Sequence, residues 1–176
     1  MNYQKIEKNS IANGKGIRVV LWISGCSLHC KGCHNPETWD FNSGKPFDMA
    51  AEKELYKYLS NPYVQGITFS GGHPLEYENL PVVYKIIQNI KEKYPMKDIW
   101  LYTGLTLNAD DFVIKDTFGK KSLLKNSILA NCDVVVDGKY EKELQDLSLP
   151  FRGSSNQRII DVAKTIENRK IVLYSI

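Results

Sequence analysis

Short apolar runs alternate along this chain with segments whose apolar positions recur every three or four residues. Five runs rich in β-branched and aromatic residues predict strands, at 17–24, 66–70, 98–103, 132–136 and 170–174. A weaker sixth candidate covers 157–162. The first run is apolar on both of its alternating faces, which indicates a strand covered on both sides.

Three amphipathic helices are predicted between these runs. Asp48 is expected to cap the first, Asn79 and Pro81 mark the start of the second, and the third ends near Asn131. Their apolar positions are Ala51, Leu55, Tyr58 and Leu59 in the first, Leu80, Val83, Ile87, Ile90 and Tyr94 in the second, and Leu124 and Ile128 in the third.

Strands separated by helices favour βαβ units and a parallel sheet. Five or six strands are too few for a closed eight-stranded barrel. We therefore expect an α/β fold, an open or partial (β/α) barrel with a mostly parallel sheet of five to six strands. No repeat or long linker divides the sequence, so we expect one domain over residues 1–176.

Composition narrows the possible partners. The 176 residues are 43% hydrophobic and 24% charged, close to a globular average, and no apolar run approaches the roughly 20 residues of a membrane span. The polar N-terminus lacks the apolar region of a signal peptide, which predicts a cytoplasmic protein. A net charge of +3 is too small to indicate nucleic acid. We expect neither nucleic acid nor membrane as a partner.

Three of the four cysteines, Cys26, Cys30 and Cys33, fall within eight residues. In a reducing cytoplasm such a cluster indicates metal ligands or redox groups rather than disulfides. The cluster follows the first predicted strand, and a double glycine, Gly71–Gly72, follows the second. Because parallel strands end at one edge of a sheet, we expect both segments at the same edge. Cys132 begins an apolar run and is interpreted as a buried free thiol.

Four interpretations of the cluster remain open at this point. A zinc site would add His29 or His34 to the three thiolates, and the segment from Cys30 to His34 also matches the C-x-x-C-H haem pattern. Cys30 and Cys33 alone could form a redox dithiol. The fourth is a [4Fe–4S] cluster with one iron left open. Haem and dithiol leave Cys26 without a role, and zinc does not explain the double glycine.

The spacing C-x-x-x-C-x-x-C resembles the signature of the radical S-adenosylmethionine superfamily. Segment 13–18 (NGKGIR) and the residues from Cys33 to Trp39 resemble its glycyl-radical-enzyme activases. Segments 137–140 (DGKY) and 152–157 (RGSSNQ) resemble the branch that activates anaerobic ribonucleoside-triphosphate reductase. The resemblance extends from the N-terminus to about Ile160 and covers most of the chain.

This resemblance implies a [4Fe–4S] cluster and S-adenosyl-L-methionine as cofactors. It makes Cys26, Cys30 and Cys33 the cluster ligands. The residues it implies around S-adenosylmethionine are Gly32, Cys33, His34, Gly71, Gly72, His73, Asp137 and Lys139. His73 departs from the family pattern, where Glu or Asp is typical, so we expect backbone groups of the turn to meet the methionine amino group. Arg18 and Trp39 receive no role from the sequence.

The resemblance also implies partners. The protein substrate would be the large subunit of anaerobic ribonucleoside-triphosphate reductase, and the electron donor a low-potential protein such as a flavodoxin. Segment 151–157 is polar enough to contact the reductase. Two alternatives are activation of another glycyl radical enzyme of the formate acetyltransferase type and a zinc-binding interaction module.

Overall fold

The computed structural model describes residues 1–114 and 120–176. Within these ranges seven strands are formed: β1 (Asn2–Ser10), β2 (Arg18–Ile23), β3 (Lys45–Pro46), β4 (Gly66–Gly71), β5 (Asp98–Tyr102), β6 (Val134–Asp137) and β7 (Arg158–Asp161). Four α-helices accompany them: α1 (Met49–Leu59), α2 (Leu80–Lys93), α3 (Lys120–Asn131) and α4 (Val162–Asn168). None of the helices described is long and apolar enough to cross a membrane.

The strands form one sheet in the order β3-β1-β2-β4-β5-β6-β7. The four central strands, β2, β4, β5 and β6, pair in parallel, whereas β1, β3 and β7 are antiparallel to their neighbours. The two edge strands, β3 and β7, do not pair with each other, so the sheet is open. The α/β class and the parallel centre are confirmed, but the strand number was underestimated and a partial barrel is not confirmed.

The differences from the predicted elements have local causes. The four central strands and the weak candidate that became β7 are confirmed. The prediction at 170–174 is wrong, because this segment makes only an isolated bridge between Leu173 and Ile160. β1 was missed because its sequence is largely polar, and α4 was missed because it is only seven residues long.

Side chains alternate between two environments along the central strands. Leu21, Phe69 and Leu101 point to the face that the helices cover, where they join one core with Leu55 and Ile87. The opposite face carries a smaller apolar cluster around Trp100, whose ring is contacted edge-on by Phe151 and Tyr174 at centroid distances of 5.6 and 5.4 Å. This second face is only partly filled, which leaves room for a cavity beside it.

The helix start at Asp48 is confirmed. One carboxylate oxygen, Oδ1, accepts hydrogen bonds from the backbone N–H groups of Ala50 and Ala51, both at 3.0 Å. These bonds satisfy donors that have no partner inside α1. The cap therefore fixes the start of α1, the helix that lies between the parallel strands β2 and β4.

Arg18 is a charged residue with no exposed surface at the start of β2. Its Nε donates to Thr68 Oγ1 at 2.8 Å and its Nη2 to the Ile67 carbonyl at 2.7 Å, and the guanidinium forms an ion pair with Asp98. Its guanidinium carbon lies 5.3 Å from the centroid of Trp100. Arg18 thus joins β2, β4 and β5 on the face of the sheet opposite the helices, and its role is structural.

We predict that Arg18→Met lowers the free energy of unfolding by about 3 kcal/mol, because it leaves the Asp98 carboxylate and buried acceptors without their donor. Urea unfolding followed by circular dichroism measures the change. Lys53→Met, at an exposed position on α1, is the matched control and is expected to shift stability by less than about 0.5 kcal/mol. Equal stability of the two variants would contradict this role for Arg18.

Candidate cofactor site

A cavity of about 390 Å³ lies at the carboxyl ends of the parallel strands. The cysteine cluster and the double glycine both line it, which confirms that the two segments meet at one edge. The predicted site residues that line it are Cys26, Cys30, Cys33, His34, Gly71, Gly72 and His73. Its other lining residues include Ser70, Tyr102, Thr103, Gly138, Tyr140, Phe151 and Arg152.

The cysteine loop begins where β2 ends and is held by backbone hydrogen bonds to the segment that follows it. Gly25 N–H donates to the Thr38 carbonyl at 2.7 Å, and Cys26 N–H donates to the Trp39 carbonyl at 3.1 Å. Cys26 and Cys30 are buried, and Cys33 is partly exposed. Burial raises the pKa of the Cys26 thiol. The Trp39 ring stacks on the His29 imidazole with centroids 4.6 Å apart, so Trp39 covers the loop.

The glycine turn after β4 is bonded directly to the cysteine loop. Gly72 N–H donates to the Ile23 carbonyl at 2.7 Å, and His73 N–H donates to the Gly25 carbonyl at 2.8 Å. A Cβ on Gly72 would lie 2.6 Å from the Gly25 carbonyl oxygen, which is closer than such atoms approach. Glycine at 72 is therefore required by the neighbouring backbone, besides any ligand.

A chain of side-chain hydrogen bonds runs beneath the cavity. His73 Nε2 lies 2.8 Å from Thr103 Oγ1, and its Nδ1 lies 3.3 Å from Glu76 Oε1. The same Glu76 oxygen accepts hydrogen bonds from Ser27 N–H at 2.8 Å and from Ser27 Oγ at 2.6 Å. Because a carboxylate only accepts, His73 Nδ1 carries the proton and Nε2 accepts from Thr103.

The two ionisable groups of this chain have shifted pKa values. Burial lowers the pKa of His73, against the opposing effect of Glu76. Burial acts to raise the pKa of Glu76, but the hydrogen bonds from Ser27 and the interaction with His73 together outweigh it and hold that pKa below its usual value. Near neutral pH, His73 is therefore a neutral imidazole and Glu76 an ionised carboxylate. Glu76 is a site residue that the sequence did not predict, although an acidic residue three positions after an unusual histidine was a visible signal.

The remaining predicted residues lie in different surroundings. Gly32 is exposed, has φ +76° and lies outside the cavity lining. His34 lines the cavity, and the centroid of its ring lies 5.3 Å from that of the Tyr140 ring. Asp137 is fully buried, where Arg158 Nε donates to its Oδ1 at 2.9 Å. Lys139 is exposed. Asp137 and Lys139 both lie outside the cavity lining.

Segment 151–157 makes most of its polar contacts within the chain. Gln157 Oε1 accepts from Gly153 N–H at 2.9 Å, and its Nε2 donates to the Gly138 carbonyl at 3.1 Å. Asn156 Nδ2 donates to the Lys139 carbonyl at 2.8 Å. These bonds tie the segment to the chain just after β6, so its side chains are mainly braces of the cavity wall.

The cavity lining offers thiols as metal ligands. Cys26, Cys30 and Cys33 all line it, and thiolates bind both zinc ions and iron–sulfur clusters. A cubane iron–sulfur cluster attaches its cysteines at separate corners, and three cysteines can occupy three of these corners. The three cysteines are therefore the residues that could hold a metal centre at this cavity.

Comparisons with known proteins agree with this geometry. Residues 12–160 match the family described as "4Fe-4S single cluster domain". The chain is 39% identical to the anaerobic ribonucleoside-triphosphate reductase-activating protein of Enterobacteria phage T4, over 90% of this chain and 93% of the phage protein. It is 40% identical to the protein of the same name from Escherichia coli (strain K12), over 89% and 96%. The corresponding protein of Pasteurella multocida is 38% identical over 90% and 96%.

These matches extend across the cysteine loop, the glycine turn and the wall up to β7, so they include every segment that lines the cavity. Identity of this level over nearly the whole of each chain is a family relationship and not a shared motif alone. The chain therefore belongs to the family of anaerobic ribonucleoside-triphosphate reductase-activating proteins.

Proposed function

We propose that this protein is a radical S-adenosylmethionine activase that generates a glycyl radical on the large subunit of anaerobic ribonucleoside-triphosphate reductase. The observation that carries the proposal is the convergence of three cysteines and a glycine turn on one cavity. Family membership supports the same partner, since the relatives are named as activators of that reductase.

Cys26, Cys30 and Cys33 would hold a [4Fe–4S] cluster. Three cysteines would bind three of the four irons, and the fourth iron would stay open for the amino and carboxylate groups of S-adenosylmethionine. When bound, the cluster supplies the electron that cleaves S-adenosylmethionine to methionine and a 5′-deoxyadenosyl radical. The stacked rings of Trp39 and His29 cover the loop and limit the access of water to it.

The methionine amino group would be bound by backbone carbonyls of the glycine turn. The His73 imidazole is already bonded to Glu76 and Thr103, and the lining residues that the structure describes include no carboxylate. Gly71 has φ +95°, a conformation in which glycine brings its carbonyl close to a ligand without a side chain. Cys33 and His34, which line the cavity, would face the adenine, whereas Gly32 lies outside the lining.

The chain is small, and the cavity opens to solvent. A reactive radical must be kept from water, so the reductase itself would close the cavity mouth during hydrogen abstraction. Leu147, 85% exposed, lies on this mouth and is available for such a contact. The required electron would come from a low-potential donor such as a flavodoxin.

We predict that replacing Cys26, Cys30 or Cys33 by Ala abolishes the iron–sulfur absorbance and S-adenosylmethionine cleavage. Cys132→Ser is the matched control, because Cys132 is buried on the helix-covered side and its Sγ donates to the Ile128 carbonyl at 3.3 Å, a bond that a serine hydroxyl can replace. Iron analysis and anaerobic product assays measure both. Loss of the cluster in Cys132→Ser with retention in one of the other three would overturn the ligand assignment.

From the family pattern alone, His73→Glu would be neutral or beneficial. The structure predicts the opposite, because the new carboxylate would be buried beside the Glu76 carboxylate. Two carboxylates that are buried next to each other repel when both are ionised, and this repulsion destabilises the folded protein. We expect His73→Glu to lower the free energy of unfolding by about 1–3 kcal/mol. The double variant His73→Glu/Glu76→Gln should recover most of it in urea unfolding. A fully stable single variant would contradict the hydrogen-bond chain.

The partner is tested by electron paramagnetic resonance of two anaerobic mixtures. Each contains this protein with its cluster, S-adenosylmethionine and a reductant, and one adds the anaerobic ribonucleotide reductase of the same organism while the other adds a formate acetyltransferase. We predict a glycyl-radical doublet only with the reductase. A doublet only with the acetyltransferase would transfer the assignment to that second class of enzyme.

A further inference from the structure

The charges that line the cavity are unevenly distributed. Apart from the thiols and the tyrosine hydroxyls, the ionisable side chains among its described lining residues are His34, His73 and Arg152, and these residues include neither Asp nor Glu. His73 is buried and engaged by two neighbours, and His34 is exposed near the mouth. Arg152 is thus the one permanent cation among the lining residues that the structure describes.

Arg152 has unused hydrogen-bonding capacity. Its Nη1 donates to the Gln157 carbonyl at 2.7 Å, and its Nε is buried without a partner, so Nη2 is the nitrogen that has no hydrogen bond among the described residues and can turn to a ligand. Asp146, the carboxylate that Arg152 influences electrostatically, is bonded to Ser148 and forms no ion pair with it in the described chain. By contrast, Arg18 and Arg158 are each paired with an aspartate.

The backbone on both sides of Arg152 is held in place. The Phe151 carbonyl accepts a hydrogen bond from Tyr102 Oη at 2.6 Å, and Gly153 N–H donates to Gln157 Oε1 at 2.9 Å. Tyr102 belongs to β5, so its hydrogen bond fixes the backbone next to Arg152 relative to the sheet. A guanidinium fixed in this way loses little conformational freedom when it binds an anion.

We infer that Arg152 binds the carboxylate of S-adenosylmethionine, an inference that rests on the proposed function. The carboxylate is the only anionic group of that molecule, and a carboxylate that enters a cavity needs a charged or hydrogen-bonding partner to offset its lost hydration. Arg152 supplies one from the cavity wall. Lys139, which the sequence favoured together with Asp137, is exposed and outside the lining.

The test measures equilibrium binding of two ligands to the cluster-loaded protein by anaerobic dialysis. S-Adenosylmethionine carries the carboxylate, whereas 5′-methylthioadenosine keeps the nucleoside and sulfur but lacks the amino-acid part. We expect Arg152→Gln to weaken S-adenosylmethionine binding about 10- to 100-fold, since a hydrogen bond to a charged group contributes about 1.5–3 kcal/mol. Binding of 5′-methylthioadenosine should stay within about twofold of wild type on the same reasoning.

Two further variants keep the test decisive. Lys53→Gln removes the same unit of charge from an exposed position on α1 and should bind both ligands as wild type does. Arg152→Lys keeps the charge without the planar fork and should show a smaller loss, confined to S-adenosylmethionine. It also serves if Arg152→Gln does not fold or hold its cluster, as judged by circular dichroism and iron content.

The inference is overturned if Arg152→Gln binds S-adenosylmethionine as wild type does. It is equally overturned if the Arg152 variants weaken both ligands alike, which would place Arg152 at the nucleoside or make it a brace of the wall, or if Lys53→Gln causes the same loss. Failure of the cluster-loaded wild-type protein to bind S-adenosylmethionine would instead count against the proposed function itself. The two failures are therefore distinguishable.

Discussion

The site depends on the backbone hydrogen bonds that join the glycine turn to the cysteine loop. Two successive N–H groups, of Gly72 and His73, donate to carbonyls at the end of β2 and the start of the loop. They bring the two backbones so close that a Cβ at position 72 would overlap the Gly25 carbonyl. The loop that carries three thiols is thereby fixed against a parallel strand rather than left as a free connection. A cluster bound to that loop would be held in a fixed position relative to the sheet. Electron transfer and ligand orientation both require such a fixed position.

Buried polar groups extend this constraint from the second strand to the fifth. The hydrogen bonds from Ser27 through Glu76 and His73 to Thr103 join the loops that follow β2, β4 and β5. In a medium of low dielectric constant such bonds are strong when complete and costly when one member is missing. Histidine at 73 is therefore consistent with its surroundings, because Glu76 already provides the carboxylate and a neutral donor–acceptor ring fits between it and Thr103.

Among the described residues, the cavity lining combines three thiols with one permanent cation and includes no carboxylate. A cluster on three thiolates is negatively charged, and a ligand with ammonium and sulfonium groups is attracted to it by charge alone. Orientation is a separate requirement, and the Arg152 guanidinium, which donates to the Gln157 carbonyl, is the group that we propose for it. Tyr102 Oη and Gln157 Oε1 hold the backbone on either side of Arg152, so the RGSSNQ segment supports the wall of the cavity.

The sequence by itself determined the parallel centre of the sheet, the start of α1 at Asp48 and the meeting of Cys26 with Gly72. Apolar periodicity and capping chemistry are local properties, and helices between successive strands make those strands parallel, so that their ends meet at one edge. It also determined the three-cysteine pattern, since the spacing of these residues is a property of the sequence itself. Only the tertiary structure decided that Asp137 is bonded to Arg158, that His73 is bonded to Glu76 and Thr103, and that Arg152 lines the cavity unpaired. The physical reason is that the partner of a buried charge depends on which distant strands and loops fold against it. The spacing of residues along the chain does not specify those long-range contacts.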